Sequence, residues 1–127
     1  MRDKCLFEYA VIRLVPRVER EEFVNVGVIV YCAAQSFLRV KFEIDERKLR
    51  AFAPDLEIAE IEKHLRAFEQ ISHGGERAGA LGKLSAGARF RWLVAPRSTI
   101  VQTSPVHTGL CENAEAALNR LLDLMVR

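Results

Sequence analysis

Ser104 and His107, three residues apart in the stretch SPVH, are the first place to look for chemistry, because a hydroxyl beside an imidazole is half of a nucleophilic pair. Such a pair needs contact and a third group that orients the base, and no GxSxG elbow surrounds this serine. The same residues make ordinary turn chemistry: Ser104 can bond nearby backbone and Pro105 sets the bend, which is the favoured reading. Metal chemistry has less support. His64, His73 and His107 are scattered and no HExxH occurs. Glu60 and His64 stand one helical turn apart and could chelate an ion, but a solvated i,i+4 pair accounts for them. No metal and no cofactor is expected.

Lys83, Arg89, Arg91 and Arg97 form a basic cluster flanking Phe90 and Trp92. Arginine forks beside aromatic rings suit phosphate binding and base stacking. They equally suit salt bridges to Glu21, Glu22 or Glu43, with Trp92 as a core anchor. The second reading is favoured because the whole chain is nearly neutral, with 19 basic and 17 acidic residues and a net charge of +2. A nucleic-acid partner is therefore not expected. Gly74 and Gly75 read as a helix terminus rather than a phosphate loop, since no GKS or GKT follows.

The elements that must position these groups are legible from periodicity. CLFEYAVIRLVP, FVNVGVIVYC and FLRVKFEI are rich in β-branched and aromatic residues and joined by short polar links, so they predict an antiparallel meander. After Asp45 comes a short segment, ERKLRAF, cut by Pro54. DLEIAEIEKHLRAFEQI then puts Ile58, Ile61, Leu65 and Phe68 on one helical stripe, with Asp55 able to cap it and Gly74 to end it. Residues 76–87 read as a loop with at most one weak turn of helix, SAGARFRWLVAP as a helix capped by Ser85, STIVQTS as a fourth strand and PVHTGLCE as a loop. NAEAALNRLLDLMV is an amphipathic helix capped by Asn113, with Leu118, Leu121, Leu122 and Met125 facing inward. The order βββ-α-α-β-α predicts an α+β fold: a four-stranded, mainly antiparallel sheet with helices packed on one face, in one domain over residues 1–127.

The stretch EEFVNVGVIVYCAA carries an asparagine and a glycine inside the best buried-strand signal of the chain. Strict alternation would put Val24, Val26, Val28, Val30 and Cys32 on one face, and Phe23, Asn25, Gly27, Ile29 and Tyr31 on the other. Arg39, Lys41 and Glu43 would share the second face. If Phe7, Tyr9, Val11 and Arg13 lie there too, that face carries Arg13, Asn25, Tyr31, Arg39 and Lys41. Two readings compete. In the favoured one, Gly27 marks a bulge or a close backbone approach, and Asn25 is tied to the main chain, to Arg13 or to the loop at 104–107. In the other, the face recognises a ligand, with Gly27 making room and Asn25 reading it.

Length and composition bound the rest. A chain of 127 residues with 50% hydrophobic residues builds one compact core. Cys5, Cys32 and Cys111 are odd in number and their spacings suit neither a disulfide framework nor a zinc site. They read as small apolar residues of a reducing compartment. MRDKCLFEY holds no signal-peptide core, and the apolar run at 23–34 is too short to span a bilayer. A cytoplasmic protein without a membrane partner is expected.

The pattern YAVIRLVP…EFVNVGVIVY, with RFRWLVAPRSTIVQTSPVHTG later, resembles a bacterial family filed as domain of unknown function 3037. Tyr9, Arg13, Pro16, Glu22, Phe23, Asn25, Gly27, Arg89, Trp92, Arg97, Ser104, Pro105 and His107 carry the resemblance, which covers most of the chain and leaves 72–85 unmatched. The resemblance implies an accessory role beside a kinase-like protein encoded nearby. With no catalytic set in the sequence, the first functional expectation is a non-enzymatic module that binds a protein partner. Its rival is a small enzyme or binder acting on a phosphate-bearing ligand through Arg13, Glu22, Asn25, Arg97 and His107. Arg13, Glu22, Asn25, Gly27, Lys41, Arg89, Arg97, Ser104 and His107 are the candidate partner- or ligand-binding residues.

Overall fold

A computed structural model describes residues 3–127, the side chain of Val18 apart. Five strands form one antiparallel sheet: β1 (Cys5–Leu14), β2 (Val24–Cys32), β3 (Phe37–Phe42), β4 (Val101–Thr103) and β5 (His107–Cys111). The helices are α1 (Glu46–Phe52), α2 (Ile58–His73), α3 (Ala86–Leu93) and α4 (Ala114–Met125). The α+β class and the antiparallel meander are as expected. Strand order is β3-β2-β1, and the free edge of β1 is shared end to end by β4 and β5.

Residues 105–112 read as a loop in the sequence, but 107–111 of them form a strand. Gly109 is what conceals it. A Cβ there would lie 2.7 Å from the tip of the Phe7 ring, directly across the ladder, so the glycine accommodates a ring that only the fold supplies.

Helices cover both faces, not one. Ile12, Leu14, Val26, Ile29, Leu38 and Val40 pack against α1, α2 and α3 through Leu49, Leu65, Phe68, Phe90 and Leu93. Phe7, Val11, Val28, Val30 and Cys32 pack against α4 through Ala117, Leu118, Leu121 and Leu122. The reason lies in β2. Ile12 pairs with Gly27 and Arg13 with Asn25, so Val26 is an extra residue with no partner on β1. The bulge breaks the alternation. Val24 and Val26 join the α2 layer, while Val28, Val30 and Cys32 join the α4 layer. The five residues assigned to one face are split between two, and β2 thereby supplies apolar surface to each.

Caps follow local chemistry. Asp45, Ser85 and Asn113 accept from the backbone N–H three residues on, at 3.2, 3.2 and 2.9 Å. Asp55 does not cap α2, whose N-cap is Glu57 without a side-chain bond; Gly74 ends that helix at φ 75°. Residues 76–83 form 3-10 turns kinked at Gly79.

Candidate functional site

The candidates on the α2–α3 side are engaged in holding structure. Arg89 donates to the carbonyls of Ile71 and Ser72, both at 2.8 Å, closing the end of α2. Arg97 donates to Trp92 and Leu93 carbonyls at 2.6 and 2.8 Å, and its guanidinium lies 4.5 Å from the Trp92 ring and 5.2 Å from that of Phe68. This satisfies the last carbonyls of α3. Burial pulls the Arg97 pKa down, and burial followed by the Arg97 charge pulls His64 below its ordinary value. Arg91 pairs with Glu8 at 3.0 Å. Arg89, Arg91 and Arg97 thus have structural roles, as the favoured reading had it, but the ion pair is made with Glu8 rather than Glu21, Glu22 or Glu43, and Trp92 is 39% exposed rather than a core anchor.

Ser104 is buried between β4 and β5. Its N–H donates to Val11 O at 2.8 Å and its Oγ accepts from Val11 N–H at 2.9 Å. The hydroxyl stands in for a ladder carbonyl, and its own proton goes to Pro105 O at 2.9 Å. His107 is exposed and rests on Tyr9, ring centroids 5.4 Å apart. Ser104 bonds nearby backbone at Pro105, as the turn reading had it, but it also holds Val11 on β1, and His107 lies in a strand rather than a turn.

Gly27 and Asn25 bear out the bulge reading, with different partners from those expected. A Cβ on Gly27 would lie 2.8 Å from Lys41 O and 2.9 Å from Phe42 Cβ, so the close approach is by β3 rather than by the 104–107 loop. Asn25 Nδ2 donates to Met125 O at 3.0 Å, which joins the sheet to the last turn of α4. Lys41 reaches the same helix, at Asn119 Oδ1 2.7 Å away. Tyr31 is not on this face: the bulge puts it on the other side, stacked on Phe90 at 5.2 Å.

What remains is a strip on the α4 side of the sheet, at that helix's margin. Arg13, paired in register with Asn25 on β2 and Gln102 on β4, lays its guanidinium 4.1 Å from the ring of Phe23, which is 45% exposed. Arg13 Nε and Asn25 Oδ1 are both buried and have no hydrogen-bond partner among the described residues. Four residues back along β1, Tyr9 carries His107 on its ring. Arg13, Asn25 and His107 therefore share one face. Glu22 stands apart, paired with Arg20 at 2.7 Å and lining a cleft of about 270 Å³ with Pro16, Arg17, Phe52 and Asp55. Arg97 lines a different cleft with Ser104 and Pro105. The five residues of the small-ligand hypothesis do not meet in one pocket. Residue chemistry alone does not single out Phe23 or Tyr9; both belong to the pattern that carries the family resemblance.

Chemically, the strip offers the Arg13 cation stacked on Phe23 and the exposed rings of Phe23 and His107, a set suited to contact with charged and polar groups, with Arg13 Nε and Asn25 Oδ1 buried beneath it. Neither the curated proteins nor the solved structures contain a match to this chain. The model of the family described as "Protein of unknown function (DUF3037)" matches residues 9–126, and the chain belongs to that family.

Proposed function

We propose that the protein is a cytoplasmic, non-enzymatic accessory module, acting as one unit over its 127 residues, whose α4-side strip docks a protein partner. Arg13 carries the reading. Its guanidinium is held against an exposed ring, and no ion pair among the described residues neutralises it. Arginine and aromatic residues placed this way carry much of the energy of protein interfaces. Stacking also reduces the rotamer freedom that Arg13 would lose on binding. The spread of Glu22, Arg97 and His107 over separate parts of the surface supports the docking reading over the phosphate-ligand one. A kinase-like protein encoded nearby is the first partner to test. Affinity purification from the native host with wild type and Arg13→Ala, read by mass spectrometry, tests the reading. A protein captured by wild type and lost with Arg13→Ala is expected. An identical set from both baits refutes the role of the strip.

A further inference from the structure

The three cysteines, far apart in sequence, gather at one end of the sheet on the α4 side. Cys5 and Cys111 are direct partners on the β1–β5 ladder. Cys32, at the end of β2, lies in the same apolar cluster as Cys111. Gln35 holds the junction by donating to Glu112 O and accepting from Ala114 N–H, both at 2.9 Å. The group does not have the geometry of a metal site.

We propose that Cys5 and Cys111 form an oxidative modification site: a thiol pair that a peroxide converts to a disulfide joining β1 to β5. Partners on an antiparallel ladder have Cα atoms about 4.5 or 5.5 Å apart, according to the type of pair. Both spacings lie inside the roughly 4.4–6.8 Å that a disulfide spans. Ladder partners also project to the same face, so the two sulfurs start on one side of the sheet. Cys32 is two strands from β5 in the sheet order and is no ladder partner of Cys111, whereas Cys5 lies directly opposite it. Access runs the same way. Cys5 is half-buried, whereas Cys32 is wholly buried and Cys111 is 7% exposed. Burial, then the neighbouring thiols of Cys32 and Cys5, push the Cys111 pKa up, so Cys111 is the protonated, slower thiol.

The chemistry closes on itself. Peroxide transfers one oxygen to the Cys5 sulfur, giving a sulfenic acid and one water. The Cys111 sulfur then attacks Cys5, the S–S bond forms, the S–O bond breaks, and the departing hydroxide leaves as water with the Cys111 proton. Two thiols lose two electrons, and one peroxide becomes two waters.

Trypsin separates the three cysteines, because cleavage after Lys4, Arg20 and Arg97 places them in peptides 5–13, 21–39 and 98–120. The reduced full-length protein is treated with hydrogen peroxide, its remaining thiols are alkylated, and it is digested without reductant. The expected product is peptide 5–13 joined to 98–120 within one chain, with Cys32 alkylated. Cys32→Ala should keep that link. A link through 21–39, a link only between chains, or all three cysteines recovered alkylated would overturn the proposal. Since the assignment is read on the wild-type chain, a variant that fails to fold does not obscure it.

Discussion

Replacing Gly27 by alanine tests the bulge more sharply than any other single change. The added Cβ would stand 2.8 Å from Lys41 O, 2.9 Å from Phe42 Cβ and 3.2 Å from Ile12 Cδ1. Two of the three are backbone or backbone-attached atoms of β3, which pairs with β2 along six residues, so neither can swing aside. Overpacking of this kind costs about 1–3 kcal/mol. Alanine also restricts the unfolded chain, which returns roughly 0.4–1 kcal/mol. The midpoints leave a net loss of about 1.3 kcal/mol. With an unfolding entropy of about 2.1 cal/mol/K per residue, a chain of 127 residues has about 0.27 kcal/mol/K, so Tm should fall by roughly 5 °C. Urea titration gives the free energy and a thermal melt gives Tm. The contrast is Gly87→Ala in α3, where the new Cβ meets only the Tyr31 side chain, with Oη at 3.1 Å. There the helix preference for alanine should leave stability unchanged or raise it by up to about 1 kcal/mol. If Gly27→Ala melts with wild type, or if Gly87→Ala is the more damaging of the two, the account of β2 is wrong.

Ser104→Ala should lower stability by about 1–3 kcal/mol, measured by urea unfolding, because Val11 N–H then stays buried without an acceptor. Asn25→Ala should cost less, about 1 kcal/mol, because its Oδ1 already lacks a partner and only the bond to Met125 O is lost; hydrogen exchange should show the last turn of α4 opening more often. His64 is held below its ordinary value by burial and by Arg97, so the unfolded chain takes up that proton first. Stability should therefore fall as pH drops below about 6.5, level off beneath the lower folded pKa, and show less of this slope in His64→Gln, as read by urea titrations from pH 7.5 to 5.5.

Much of the fold could be read from the sequence because it rests on local signals. The caps Ser85 and Asn113, the α2 stripe of Ile61, Leu65 and Phe68, and the three-strand meander each follow from a few neighbouring residues. What misled the reading was non-local. The face assignment of β2 assumed unbroken alternation, and the extra residue at Val26 is visible only once Ile12 and Arg13 are set against it. β5 escaped because Gly109 looks like a strand breaker until the Phe7 ring is placed across from it. The gathering of Cys5, Cys32 and Cys111 depends on the same ladder, so cysteine spacing along the chain could not reveal it. Of the candidate residues, Asn25 and Gly27 were read in kind but not in partner. Arg13 was placed on its face only conditionally, because β1 is apolar on both sides.

The bulge links fold to site. Without it, strict alternation would turn all the β2 valines to one layer and leave Asn25, Gly27, Ile29 and Tyr31 to the second face. With it, Val28 and Val30 hold α4 on that second face. Asn25, two residues before Gly27, meets the far end of the helix at Met125. α4 packs chiefly on β2 and β3, so its margin runs along β1, and that is where Arg13 and Tyr9 stand. Arg39 and Lys41, on the same face, lie within the span of α4, and Lys41 is tied to Asn119. Arg13 makes no side-chain hydrogen bond to that helix among the described residues and rests on Phe23. The exposed ring and the unpartnered Nε thus follow from where α4 can sit, which in turn follows from one extra residue in β2.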